Sequence, residues 1–150
     1  MENQLAYRVT ATWEGAGKGR VRAHEIAPTI HFSAPPDFNG EPVYWTSEHF
    51  LLAAVASCYM TTFHVLAEMS ALEFLGIGLL AEGKLGLPDG NLRFTEIVLK
   101  PTLTVIQNQD RELADRMLEK AQQECRIARS LVCPVHLEPL VQQAEQVLAC

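Results

Sequence analysis

Glycine, proline and charge are all modest in this chain. Nine glycines and eight prolines in 150 positions, with charged residues at 20%, are too few for a fibrous repeat or a disordered tract. Cationic residues are also scarce. Twelve Lys plus Arg against eighteen Asp plus Glu leave a net charge of −6, and such a surface repels polyanions. Neither nucleic acid nor an anionic membrane is expected as a partner. No G-x-S-x-G elbow, P-loop or G-x-G-x-x-G opening a helix occurs, which removes the commonest hydrolase and nucleotide-binding readings. The first residues, Met1 to Tyr7, hold no basic stretch followed by an apolar one. The expectation is therefore a chain without a secretory leader, working in the cytoplasm. Cysteines at 58, 125, 133 and 150 then read as reduced thiols rather than a disulfide framework.

What the chain does have is apolar content of 48%, enough for one core and one domain spanning residues 1–150. One long apolar run stands out, Phe50 to Met60, yet Glu48, His49, Ser57, Thr61, Thr62, His64 and Glu68 interrupt the length that a bilayer span requires. It reads as a core helix. Thr46 is placed to cap its first-turn amides, Glu48 sits at its positive end, and Trp45 with Phe50 has the spacing of a hydrophobic staple. From Thr46 to about Ser70 the helix has almost no polar face, so it should be surrounded by protein. So few remaining residues cannot cover it, and a second subunit is expected to complete the cover.

Ahead of this helix, Tyr7–Trp13, Arg20–Ala23 and Thr29–Phe32 read as short strands, with a turn over Gly15–Gly19 and an irregular loop over Pro35–Pro42. Behind it, Leu75, Ile77, Leu79 and Ala81 alternate, and Pro88-Asp89-Gly90-Asn91 turns the chain into a second strand from Leu92. Leu92 and Phe94 have one parity and Ile97, Leu99, Leu103 and Val105 the other, which calls for a bulge or strong twist near Glu96. An amphipathic helix after Asn108 or Asp110 carries Leu113, Ala114, Met117, Leu118, Ala121 and Cys125 on one stripe. A strand at Val135–Leu137 and a short helix or tail over Gln142–Cys150 end the chain.

Cys58 lies in the middle of the apolar helix, where it is either a small hydrophobe filling a packing gap or a reactive thiol. The second reading needs a cation from elsewhere, because the helix dipole has faded by its third turn. Arg20, Arg22 and His64 are the candidates. Glu48 could hold an arginine as one fork holds another, but the ten residues to Cys58 span about 15 Å of helix. Cys125, near a helix C-terminus, is better suited to capturing an oxidised sulfur than to attacking. Cys133-Pro134-Val135-His136 offers half of a zinc site, with no second half in the sequence.

The run Glu48-His49-Phe50-Leu51-Leu52-Ala53-Ala54-Val55-Ala56-Ser57-Cys58, followed by Cys125 at the end of a late amphipathic helix, resembles the OsmC/Ohr family of osmotically inducible and organic hydroperoxide resistance proteins. The order of elements agrees over nearly the whole chain. The resemblance implies an α+β fold of antiparallel sheets around a central buried helix, in an intertwined homodimer with two sites at the subunit interface. It also implies an antioxidant peroxidase that reduces organic hydroperoxides with a dithiol reductant, without metal, haem or flavin. Cys58 would be the peroxidatic cysteine, Cys125 the resolving one, and Glu48 the carboxylate that orients the family's arginine. The family has Asn-Pro where this chain has Thr46-Ser47, and its turn arginine falls at Gly17, so Arg20 takes that role as the nearest replacement. The missing turn arginine also leaves a rival reading, a non-catalytic module that binds a small apolar ligand at the dimer interface with its cysteines as packing residues.

Overall fold

In the computed structural model, which describes residues 5–144, the chain sorts into two units, residues 1–50 and 51–150. In the first, β1 (Val9–Gly15), β2 (Lys18–Ala23) and β3 (Ile30–Ser33) form an antiparallel sheet in that order. The turn between β1 and β2 needs left-handed backbone at three consecutive residues, Gly15 (φ 92°), Ala16 (φ 52°) and Gly17 (φ 76°), and glycine supplies two of them without steric cost. Thr10 pairs with Arg22 and Thr12 with Arg20, whereas Ala11 pairs with Val21 and Val21 with Ile30. Strand alternation therefore makes one face polar and the other apolar. The apolar face is open: Val9 and Trp13 keep 68% and 65% of their surface exposed.

The proline-rich loop holds one turn of 3-10 helix, Pro36–Phe38, where the sequence pattern predicts only irregular chain. Pro36 is tolerated there because a helix start needs no donor from its first residue. The long helix α1 (Ser47–Met69) begins where expected. The His49 N–H donates to Thr46 Oγ1 at 3.4 Å, and the Thr46 N–H donates to His49 Nδ1 at 3.1 Å. This is a reciprocal capping box with histidine in place of the usual glutamate. Trp45 and Phe50 stack at 5.5 Å, the expected staple. Ala71, in left-handed backbone at φ 53°, turns the chain after the helix, and the Leu72 N–H donates back to the Ala67 carbonyl at 2.9 Å.

In the second unit, β4 (Phe74–Gly86) and β5 (Arg93–Val105) form the antiparallel hairpin. Lys84 faces Glu96 while Leu85 faces Phe94, so Thr95 is an extra residue. This is the bulge that the parity change required, and beyond it Ile97, Leu99, Leu103 and Val105 are all fully buried. On the other edge of β5, β6 (Val135–Leu137) pairs in parallel with Ile97–Leu99, and β7 (Leu140–Gln143) with Thr102–Val105. Pro101, which cannot donate, falls between the two pairings. Strand β7 replaces the start of the expected C-terminal helix or tail. Val141 is buried there and the Gln142 amide donates to Thr104 Oγ1 at 3.1 Å. Residues 145–150 of that expected segment, with Cys150, lie outside the described residues.

The amphipathic helix α2 (Arg111–Glu124) stops one residue short of Cys125. There the backbone turns to φ −63°, ψ 107°, and a short helix α3 (Arg126–Arg129) follows. Core residues Val55, Tyr59 and Phe63 from α1 pack with Ile97, Leu99, Leu103, Leu118 and Cys125. By length and composition α1 could also cross a bilayer. Within this chain it buries one side only, and Val65 and Met69 stay 51% and 79% exposed.

Candidate functional site

Cys58 projects from the buried side of α1 and keeps 9% of its surface accessible; Cys125, between α2 and α3, keeps none. The structure brings these two thiols together across 67 positions of sequence. Both are reduced, as is the half-buried Cys133. Burial pushes the Cys58 thiol toward its neutral form, but the Ile127 N–H, the Cys125 thiol, the Arg126 N–H and the Thr62 hydroxyl all face its sulfur. Together they outweigh burial and hold its pKa below the ordinary thiol value. Burial acts on Cys125 in the same direction and prevails. Amides of Ala128 and Ile127 oppose it, while the neighbouring Cys58 adds to it, and the pKa is raised. Cys125 Sγ points at the Val55 carbonyl at 3.8 Å.

The two thiols are therefore shifted in opposite directions, Cys58 below the ordinary thiol value and Cys125 above it. The groups that hold Cys58 down are amides, a thiol and a hydroxyl. Sequence reasoning looked for a cation and missed the amides, because α3 has four residues and shows no periodicity. The break in α2 at Cys125 aims the next two N–H groups at Cys58. The Tyr59 hydroxyl fastens the same region by donating to the Leu118 carbonyl at 3.1 Å, and burial pushes its own pKa far up.

Most of the other candidates have partners of their own. Arg20, on the polar face of the first unit's sheet, pairs with Glu14 at 3.4 Å. Partial burial disfavours the Glu48 anion, but the Thr46 hydroxyl, its own N–H and the Ser47 hydroxyl hold its pKa below the usual carboxylate value. Among the described residues no ion pair joins Arg20 to Glu48; Glu14 is the carboxylate that Arg20 meets. Arg22 lines the same polar face with Thr10 and Thr12. His64 is exposed and lies 3.5 Å from Glu68, while His136 lies 3.7 Å from Glu96. No three His, Cys, Asp or Glu side chains meet as a metal would require among the described residues.

A groove of about 490 Å³ opens between α1 and the end of α2, lined by Thr61, Thr62, Val65, Leu66, Met69, Lys120, Glu124 and Arg126. It includes Thr62, whose hydroxyl donates to the Cys58 carbonyl at 2.8 Å.

Residues 39–139 match the family described as OsmC, OsmC-like protein. The uncharacterized protein YmaD of Bacillus subtilis is 25% identical over 137 residues, covering 88% of this chain and 90% of its own. An OsmC-like protein of unknown function from Vibrio cholerae superposes with a TM-score of 0.83 at 20% identity, covering 91% of this chain and all of its own. An organic hydroperoxide resistance protein from Elizabethkingia anophelis gives a TM-score of 0.75 at 18% identity, over 95% of this chain and 99% of its own.

Proposed function

The chain belongs to the OsmC-like protein family, and we propose that within it the chain is a thiol peroxidase that reduces organic hydroperoxides. The observation that carries the reading is the pair of adjacent buried thiols, Cys58 shifted below the ordinary thiol value and Cys125 above it. The Elizabethkingia anophelis neighbour named as an organic hydroperoxide resistance protein shares the fold.

In the proposed reaction the Cys58 thiolate attacks the distal oxygen of the hydroperoxide. The S–O bond forms as the O–O bond breaks, and the leaving alkoxide takes a proton to become the alcohol. Cys58 is then a sulfenic acid. The Cys125 sulfur, giving up its proton, attacks the Cys58 sulfur; the S–S bond forms and water leaves. A dithiol reductant supplies two electrons and two protons to restore both thiols. A cytoplasmic setting supplies such reductants.

The resemblance assigns Arg20 and Glu48 as a guanidinium–carboxylate pair that assists Cys58, and this role requires Arg20 to exchange Glu14 for Glu48. A homodimer belongs to the same proposal. The open apolar face of the first sheet and the exposed Val65 and Met69 of α1 are the kind of surface that a second copy covers.

The test is turnover of an organic hydroperoxide with a dithiol. Cys58→Ser is expected to abolish it. Cys125→Ser is expected to stop recycling after one oxidation and to leave a sulfenic acid at Cys58 that a dione reagent traps. Turnover that survives Cys58→Ser contradicts the proposed nucleophile, and a wild type without turnover favours the rival reading, a ligand-binding module.

A further inference from the structure

The polar face of the first sheet carries a cation that no carboxylate neutralises. In β2, alternation sets Lys18, Arg20 and Arg22 on that face. Lys18 is held by Glu41 at 2.6 Å and Arg20 by Glu14 at 3.4 Å, while Glu14 also lies 3.5 Å from His31. Arg22 meets no carboxylate among the described residues. Strand register places it in the middle of a row of three. Thr10 pairs with it from β1, and the β2–β3 register, in which Val21 pairs with Ile30, sets Thr29 on its other side when carried one step further. Each neighbour is about 5 Å away. The next row is Thr12, Arg20 and His31, and Glu14 stands beyond it, toward the turn and away from Arg22. Thr10, Thr12, Arg20, Arg22 and Thr29 line a concavity of about 330 Å³, at the small end of ligand sites. None of the three threonine hydroxyls has a hydrogen-bond partner among the described residues.

We propose that this face binds the phosphate group of a small phosphorylated molecule, with the Arg22 guanidinium as its anchor. A carboxylate offers two oxygens, which one guanidinium fork satisfies, whereas a phosphate monoester has three and needs further donors. The Thr10 and Thr29 hydroxyls supply them from the two sides of Arg22, and Thr12 and Arg20 extend the donor set along the sheet. The net charge of −6 repels extended polyanions. The complement of one free guanidinium on such a chain is therefore a single compact anion, not a nucleic acid or an anionic lipid surface. Neither the site nor its test rests on the peroxidase reading.

Amide NMR spectra of the isotope-labelled full-length protein are titrated with glycerol phosphate, inorganic phosphate and acetate at constant ionic strength. Saturable shifts at Thr10, Thr12, Arg22 and Thr29 are expected with glycerol phosphate, the same shifts at equal or weaker affinity with inorganic phosphate, and none with acetate. Arg22→Gln is expected to weaken glycerol phosphate binding by about tenfold, the size of a hydrogen bond to a charged group, and Thr10→Val by about fivefold. Arg22→Lys, which keeps the charge and loses the fork, is expected to recover only part of the loss. Both positions are exposed, and a thermal melt of each variant checks that folding is kept. The absence of saturable shifts at these amides overturns the proposal, as does an affinity unchanged in both Arg22→Gln and Thr10→Val. Acetate binding as tightly as glycerol phosphate overturns the phosphate assignment, and inorganic phosphate binding where glycerol phosphate does not marks a free-ion site instead. Vesicles containing phosphatidic acid are expected to leave the protein in the supernatant; co-sedimentation with them contradicts a small-molecule source.

Discussion

A thiol packed among apolar side chains is ordinarily a weaker acid than one in water, because burial penalises the anion. Cys58 reverses that order through donors that arrive from 68 and 69 positions along the chain, the N–H groups of Arg126 and Ile127. No local pattern around Cys58 announces them. Linkage gives this shift a sign. The unfolded thiol holds its proton up to about pH 8.5, so the stabilisation from Cys58 ionisation is complete above that value and is lost as pH falls through the lower folded pKa. Cys125, raised by burial, contributes in the opposite sense: its stabilisation is present below the ordinary thiol value and is lost as pH rises through the folded pKa. Urea unfolding across this range is expected to show wild type gaining on Cys58→Ser as pH rises toward the ordinary thiol value; a constant difference contradicts the assignment. Tyr59→Phe removes the buried hydroxyl bond to the Leu118 carbonyl and should cost about 1 kcal/mol in the same measurement.

Elements whose signals are local were legible in the sequence. Thr46 capped α1 and Trp45 met Phe50 because both devices act within one helical turn. The change of parity between Phe94 and Ile97 located the bulge, since strand alternation admits no other way to keep both sets facing inward. Two of the elements missed, α3 and β7, carry no alternating or helical apolar pattern in their four residues. Their positions depend on tertiary partners: α3 on the turn at Cys125, β7 on the edge of β5. The cap gives a direct test. Thr46→Ala should cost about 1 kcal/mol of stability. At the other end of α1, Ala71 holds a left-handed backbone that glycine adopts freely, and Ala71→Gly should raise stability by up to about 1 kcal/mol in thermal or urea unfolding.

At the scale of the molecule, the sequence indicated an α+β chain of the OsmC-like family, and the family is shown. The pairing of Arg20 with Glu14 was not readable, because it depends on which strand residues face each other once β1, β2 and β3 are in register. The proposed homodimer rests on an open apolar sheet face and an apolar helix half-covered within one chain. Sedimentation of the purified protein should show two chains per particle, and Trp13→Glu, which places a charge on that face, should shift it toward one. The central claim is that Cys58 and Cys125 are the working pair of a thiol peroxidase. Its most direct test treats the reduced protein with one equivalent of an organic hydroperoxide and reads the intact mass and the peptide map. The account predicts a loss of two hydrogens and a Cys58–Cys125 crosslinked peptide. Both thiols recovered free, or a Cys58 oxidised while Cys125 stays unlinked, would contradict it.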